Sequence, residues 1–205
     1  MFSLIESWSI TSFTKGNKGI QIGDDNYHPA VCTLWSESER NAIVIYTVEI
    51  DYTNRKDETW YINTNESYAF GSGKVTGSYG TATAKAHADT KWTQEEIDDG
   101  GAPTGADTDT VKDEGLKTVL IRQVKAQAEG ILNETDWYVT RKAEKSTAIP
   151  SAITTHRDAV RTKQASMETA ITNASDTPAL ETLYTYTTDS DGVTSRPLGE
   201  LPTLS

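Results

Sequence analysis

Two hydrophobic periods divide the chain. Through the first ninety residues the apolar positions alternate with polar ones or form short blocks of β-branched and aromatic side chains. "NAIVIYTVEIDY" is the clearest block and "ETWYINTNESYAF" the next; both read as strands, because such side chains fit a pleated, half-buried surface. "TNRKD" supplies the turn between them. The Gly-rich, alternating "GSGKVTGSYGTATAKAH" that follows fits an edge strand, an arm or a flexible connector. From Thr110 the period lengthens to nearly four. Leu116, Leu120, Val124, Ala128 and Ile131 form one helical face, widened by Val119 and Leu132. A second amphipathic helix is expected after Pro150, whose missing N–H is harmless in a first turn; Ile153, His156, Val160, Met167 and Ile171 share its face. Asn173 and "SDTP" end it, "PALETL" adds a short helix, and "YTYTTDSDGVTSRPLG" predicts a hairpin turned at Asp191-Gly192.

The stretch "KWTQEEIDDGGAPTGADTDT" interrupts both periods. "TQEE" has capping-box spacing, and Gly-Gly-Ala-Pro stops any helix there within about two turns. "GADTDT" reads as the start of the next helix, with Asp109 or Thr110 as its cap and the acids favouring its N-terminus. The expected architecture is α+β: an N-terminal antiparallel β unit over residues 1–90, a linker at 91–109, a helical hairpin or clasp at 110–183, and a terminal β-hairpin and tail at 184–205.

Length and composition limit the core. A chain of 205 residues with 36% hydrophobic side chains can form one sizeable core or two small ones, and a chain this lean often borrows core from a partner. Five tryptophans (Trp8, Trp35, Trp60, Trp92 and Trp137) and nine tyrosines are spread over every segment, as anchors of separate small cores or of contacts with neighbouring chains. The net charge of -11 argues against wrapping nucleic acid. "MFSLIESWSI" is too short and polar for a secretory signal, and no window approaches the roughly 20 apolar residues of a membrane span. A soluble protein made in the cytoplasm, without membrane or nucleic-acid partners, is the expectation. The single cysteine, Cys32, excludes an intrachain disulfide and reads as a small buried hydrophobe.

No pattern of catalytic or ligand-binding residues is complete. "GSGKVTG" fails as a phosphate loop, having Tyr68 where the first glycine belongs and Val75 where a magnesium-binding hydroxyl is needed. The glycines at 71, 73 and 77 miss the dinucleotide spacing by one residue. "DSDG" fails as a calcium loop, because Thr187 and Leu198 occupy its first and last ligand positions. His28, His87 and His156 form no short-spaced metal pair, and there is no Gly-x-Ser-x-Gly elbow. No catalytic residue, cofactor or metal site is therefore expected. A carbohydrate-binding module, stacking sugars on an exposed Trp60, Tyr61 and Tyr68, is one alternative.

The segment that joins the two long helices is "ETDWYVTRKAEKSTAIPSAITTHRDAVR". Asp136 can cap a short helix that begins at Trp137, with the indole laid across the ends of the long helices. Arg141, Lys142 and Lys145 then fall near its C-terminus, where positive charge is favoured. On this reading Trp137→Ala is a core truncation costing roughly 3 to 5 kcal/mol.

A resemblance attaches to the same residues. Arg122, Ala126, Leu132, Thr135, Asp136, Trp137, Arg141, Glu144, Pro150, Arg157 and Arg161 form a pattern that resembles the C-terminal segment of bacteriophage tail fibre assembly proteins and of tail-associated phage proteins that share it. It covers about seventy residues, from Leu116 to roughly Leu183. The pattern departs at His156, where a tyrosine is common, and at Lys145-Ser146, which replace a glycine. "SRPLGELPTL" is similar to the C-termini of structural-type proteins of marine tailed phages. What the resemblance implies is a non-enzymatic virion component of the tail, neck, baseplate or fibre, made in the host cytoplasm. It would dock onto tail or fibre subunits, as a homo-oligomer or within a larger assembly, through Asp136, Trp137, Arg141, His156, Arg157 and Arg161. The alternative within the same resemblance is a tail fibre assembly chaperone that leaves before the particle matures.

Overall fold

In the computed structural model, residues 2–6, 9–14 and 18–204 are described; Trp8 lies outside them. The protein is α+β, with strands first, long helices after them and a terminal hairpin. It divides into two units at Thr83/Ala84, ahead of the boundary expected near residue 90.

The first unit is built on β1 (Phe2–Glu6), β2 (Ser9–Thr14), β5 (Ile45–Asp51), β7 (Ser67–Gly71) and β8 (Lys74–Ser78), in the order β2-β1-β5-β8-β7. Two shorter strands, β3 (Ile20–Ile22) and β4 (Asp25–Tyr27), pair with each other, and "ETWYINTNESYAF" splits into β6 (Tyr61–Ile62) and β7. Side chains alternate between the two faces of a strand, and both faces of β1 are covered. Leu4 joins Val31, Cys32 and Ile45 in one core, whereas the adjacent Ile5 joins Val48 and Val75 in another. A lean chain thus fills two thin cores instead of one thick one. The sheet is curled enough for Phe13 of β2 to meet Tyr68 of β7, with ring centroids 4.6 Å apart.

Three expectations for this unit need correction. Residues 31–42 are helical, in α1 (Val31–Leu34) and α2 (Glu37–Ala42); Ser36 and Glu39 form a capping box at α2 that outweighs the surrounding strand pattern. The Gly-rich stretch after residue 71 is no edge or connector. It supplies β8, an interior strand in which Val75 is fully buried. Nor is the sheet wholly antiparallel, since β8 runs parallel to β5, pairing Val48 with Val75 and Asp51 with Ser78. Glycine suits this position because a Cβ on Gly77 would overlap the Tyr68 ring and Ile50 Cδ1.

The second unit begins near β9 (Thr83–Ala84). Its β10 (Thr90–Lys91) pairs with β11 (Val111–Asp113) around α3 (Gln94–Asp98), so residues 91–109 are structured and belong to this unit rather than linking two others. The Thr93–Glu96 capping box forms as expected, and Gly100, at φ +73°, ends the turn. The first long helix, α4 (Leu116–Asn133), starts six residues after Thr110, because Val111–Asp113 is claimed by the strand pair. Its N-terminal amides are satisfied from a distance. Gly115 N donates to Asp89 Oδ1 (2.7 Å), Leu116 N to Ala86 O (2.9 Å) and Lys117 N to His87 O (3.0 Å).

After α5 (Asp136–Lys145) come α6 (Ser151–Asn173), with Pro150 as its N-cap, and α7 (Thr177–Tyr184), capped by Asp176. Lys117 Nζ donates to Thr172 O, and Arg157 Nη1 to Leu132 O, so α4 and α6 run antiparallel. Leu120, Val124 and Ala128 are buried on α4, and all five face residues read from the sequence of α6 are buried. Leu180 and Leu198 complete the core, and Lys163 Nζ donates to Leu198 O to fasten the terminal segment. The hairpin β12 (Thr187–Thr188) and β13 (Thr194–Ser195) turns at Asp189–Gly192, as expected.

Candidate functional site

The α4–α5–α6 corner gathers the singled-out residues, but around Arg157 rather than Trp137. A helix end leaves carbonyls without intrahelical donors. At the end of α4 the Leu132 carbonyl accepts from Thr135 N (3.1 Å), from Thr135 Oγ1 (3.0 Å) and from Arg157 Nη1 (2.7 Å). Arg157 Nη1 also donates to Thr135 Oγ1 (2.7 Å) and lies 2.8 Å from Asp136 Oδ1. One nitrogen has two hydrogens for these three acceptors, so the Asp136 contact is chiefly electrostatic. Arg157 is only 8% exposed and Thr135 2%. The arrangement complements both helix dipoles, placing a cation at the C-terminus of α4 and an anion in the first turn of α5.

Asp136 therefore acts as the first residue of α5 and as the partner of Arg157. Thr135 holds the N-cap position, without a side-chain cap bond. Trp137, expected across the helix ends, is 53% exposed. Its ring centroid lies 4.2 Å from that of Tyr138, and the Arg141 guanidinium sits 4.6 Å above the indole. A helix begun at Asp136 directs residue 137 away from the α4–α6 seam, and Arg157 already fills the space the indole was expected to take.

No residue of α5 is buried, although it spans ten residues and carries Trp137 and Val139 exposed. It is held at its N-terminal end by the Arg157 corner, and it stops at Ser146, which adopts the left-handed conformation (φ +54°) and donates N–H to Lys142 O within the same helix. Lys142 and Lys145 stand in its last turn. Of the cluster Trp137–Tyr138–Arg141, the indole faces solvent while Tyr138 and Arg141 are half-buried against it.

His156 and Arg161 are not part of this corner. His156 is buried on α6 and lines a shallow recess with Ala152, Pro202 and Leu204. Arg161 is exposed, pairs with Asp158 (3.2 Å) and borders a polar groove along α6. Arg157 was picked out through the resemblance; its position one turn after Ile153, on the buried face, is a signal in its own right, since a charge there requires a buried partner.

The sugar platform is corrected by burial. Trp60 and Tyr61 are 6% and 5% exposed, and Tyr68 lies across Gly77 and Phe13, so the three offer no open stacking surface. Cys32 is a buried hydrophobe whose burial raises its thiol pKa. Among the described residues no three His, Cys, Asp or Glu side chains converge as metal ligands, and no helix is long and apolar enough to cross a membrane.

At the opposite end of α4, two carboxylates are held below their ordinary range. Asp89 is lowered by the Gly115 amide and then the Thr118 hydroxyl; Glu96 is lowered to about 2 by the Lys112 ammonium and then the Thr93 amide. The acidic segment is thus tied to β11 through the Glu96–Lys112 ion pair and to β10 through Lys91–Asp109 (2.8 Å). No family model matches the chain, and comparison with curated proteins and with solved structures gives no match either.

Proposed function

We propose that this protein is a non-enzymatic structural component of a tailed-phage virion, placed in the tail, neck, baseplate or fibre, and that it works by docking onto neighbouring protein subunits. The observation that carries the reading is α5, a helix with no buried residue, fixed at its N-terminal end by the Arg157 corner and leaving Trp137 and Val139 exposed, with Arg141 stacked on the indole. Isolated helices of this length are marginal in water. Keeping one exposed on a rigid corner is useful where a partner covers it, because aromatic and arginine side chains are the common anchors of protein interfaces. The sequence resemblance to tail-associated phage proteins supplies the setting.

The test is quantitative mass spectrometry of purified virions beside the lysate that produced them. The expected result is a constant ratio to a tail protein in the particle. Detection in the lysate alone would replace this reading with that of an assembly chaperone; detection in neither would remove both.

A further inference from the structure

The basic and acidic surfaces of the second unit lie at opposite ends of α4. Between Trp92 and Val111 there are six carboxylates and no Lys or Arg. Glu96 and Asp109 are engaged by Lys112 and Lys91, and Asp107 holds its own turn through the amides of Asp109 and Thr110. Glu95, Asp98 and Asp99 are exposed on and beside α3. This segment is fastened to β11, which leads directly into the N-terminus of α4. Helix α5 follows the C-terminus of α4; its Arg141, Lys142 and Lys145 outnumber Asp136 and Glu144 by one, and Lys142 and Lys145, three residues apart on one edge, are exposed and make no ion pair among the described residues. Eighteen residues of α-helix separate the two surfaces by about 27 Å. The rigid α4–α6 pair keeps them from meeting within one chain.

We propose that α5 receives the acidic α3 turn of a second copy of this chain, in a head-to-tail contact. The inference rests on the docking reading above and names the partner. Lys142 and Lys145, one turn apart on a shared edge of α5, face Glu95, Asp98 and Asp99 of the neighbour, and the exposed Trp137 and Val139 flank that edge on its two sides. Two different surfaces meet, so the contact is heterologous; repeated, it closes a ring or extends a filament.

Sedimentation velocity of the full chain at low and high salt tests this, with two charge-reversed variants. Lys142→Glu with Lys145→Glu reverses the helix, and Asp98→Lys with Asp99→Lys reverses the turn. All four residues are exposed, and circular dichroism checks that each variant folds as the parent does. The parent is expected to self-associate at low salt and to dissociate as salt screens the contact. Each variant alone should associate at least about tenfold more weakly, equivalent to about 1.4 kcal/mol. Mixing the two variants should restore association, because each carries the complement of the other. A parent that stays monomeric at low salt, variants that associate as the parent does, or a mixture that fails to restore association would each overturn the proposal. A monomer that is nonetheless found at constant ratio in virions would leave the virion reading standing and remove only the self-docking.

Discussion

Replacing Arg157 should damage the second unit far more than removing the larger Trp137. In Arg157→Met the side-chain volume is roughly kept while both hydrogen bonds, to Leu132 O and Thr135 Oγ1, and the Asp136 contact are lost. Hydrogen bonds to a charged group are worth about 1.5 to 3 kcal/mol each. Two offsets lower the sum: Leu132 O keeps Thr135 N and Oγ1 as donors, and the half-exposed Asp136 carboxylate returns to water instead of being stranded. The expected net loss is about 2 to 4 kcal/mol, short of the full cost of breaking a wholly buried pair. Arg157→Lys keeps the charge without the planar fork and should recover part of the loss. Trp137→Ala, by contrast, removes only a solvent-exposed stack on Tyr138 and Arg141 and should cost less than about 1 kcal/mol. Urea unfolding followed at the helical circular dichroism band gives these differences by linear extrapolation. An Arg157→Met loss under about 0.5 kcal/mol, or a Trp137→Ala loss exceeding it, would refute the assignment of the corner to Arg157.

Acid should weaken the second unit as Glu96 protonates. Its folded pKa, about 2, lies below the ordinary 4.5, so its contribution is full above pH 4.5 and is lost between there and about pH 2; Asp89 acts in the same direction. Glu96→Gln should flatten the stability profile in that window, and an unchanged acid limb would count against the Glu96–Lys112 assignment. Gly115→Ala should destabilise by about 1 to 3 kcal/mol, because its Cβ would overlap the backbone of Ala88 and Asp89, which cannot yield without losing the Asp89 cap; a neutral thermal melt would contradict that packing. Met167→Ala, at a position 1% exposed between α4 and α6, should cost about 2 to 5 kcal/mol by urea unfolding. A loss below about 1 kcal/mol would mean that the two helices pack less tightly there than described.

What was legible in the sequence is what local period determines. The α6 face from Ile153 to Ile171, the Thr93–Glu96 capping box and the Asp191-Gly192 turn follow from spacings of a few residues, and the structure has them. The failures share one cause, that the deciding partner lies far along the chain. Thr110 looked like a helix cap because nothing nearby shows that Val111–Asp113 will pair with Thr90–Lys91. The glycines around Val75 suggested a weak strand, because the parallel partner, β5, is more than twenty residues earlier. Trp137 drew attention by size, whereas the group that locks the corner stands twenty residues later on another helix. For the platform, the error was to treat aromatic residues as exposed when a chain with so few other large apolar side chains needs Trp60 and Tyr61 in its interior.

The strand order β2-β1-β5-β8-β7 also has a kinetic meaning. β1–β2 and β7–β8 are each hairpins between neighbours in sequence and can form within microseconds. Strand β5 must then join them, antiparallel to β1 on one side and parallel to β8 on the other, and both pairings close long loops. Non-local strand pairing is slower than local pairing because the entropy of closing the loop must be met first, so insertion of β5 is expected to set the folding rate of the first unit. Ile45 and Val48, which carry β5 into the two cores, are therefore positions where truncation should slow folding as well as hasten unfolding.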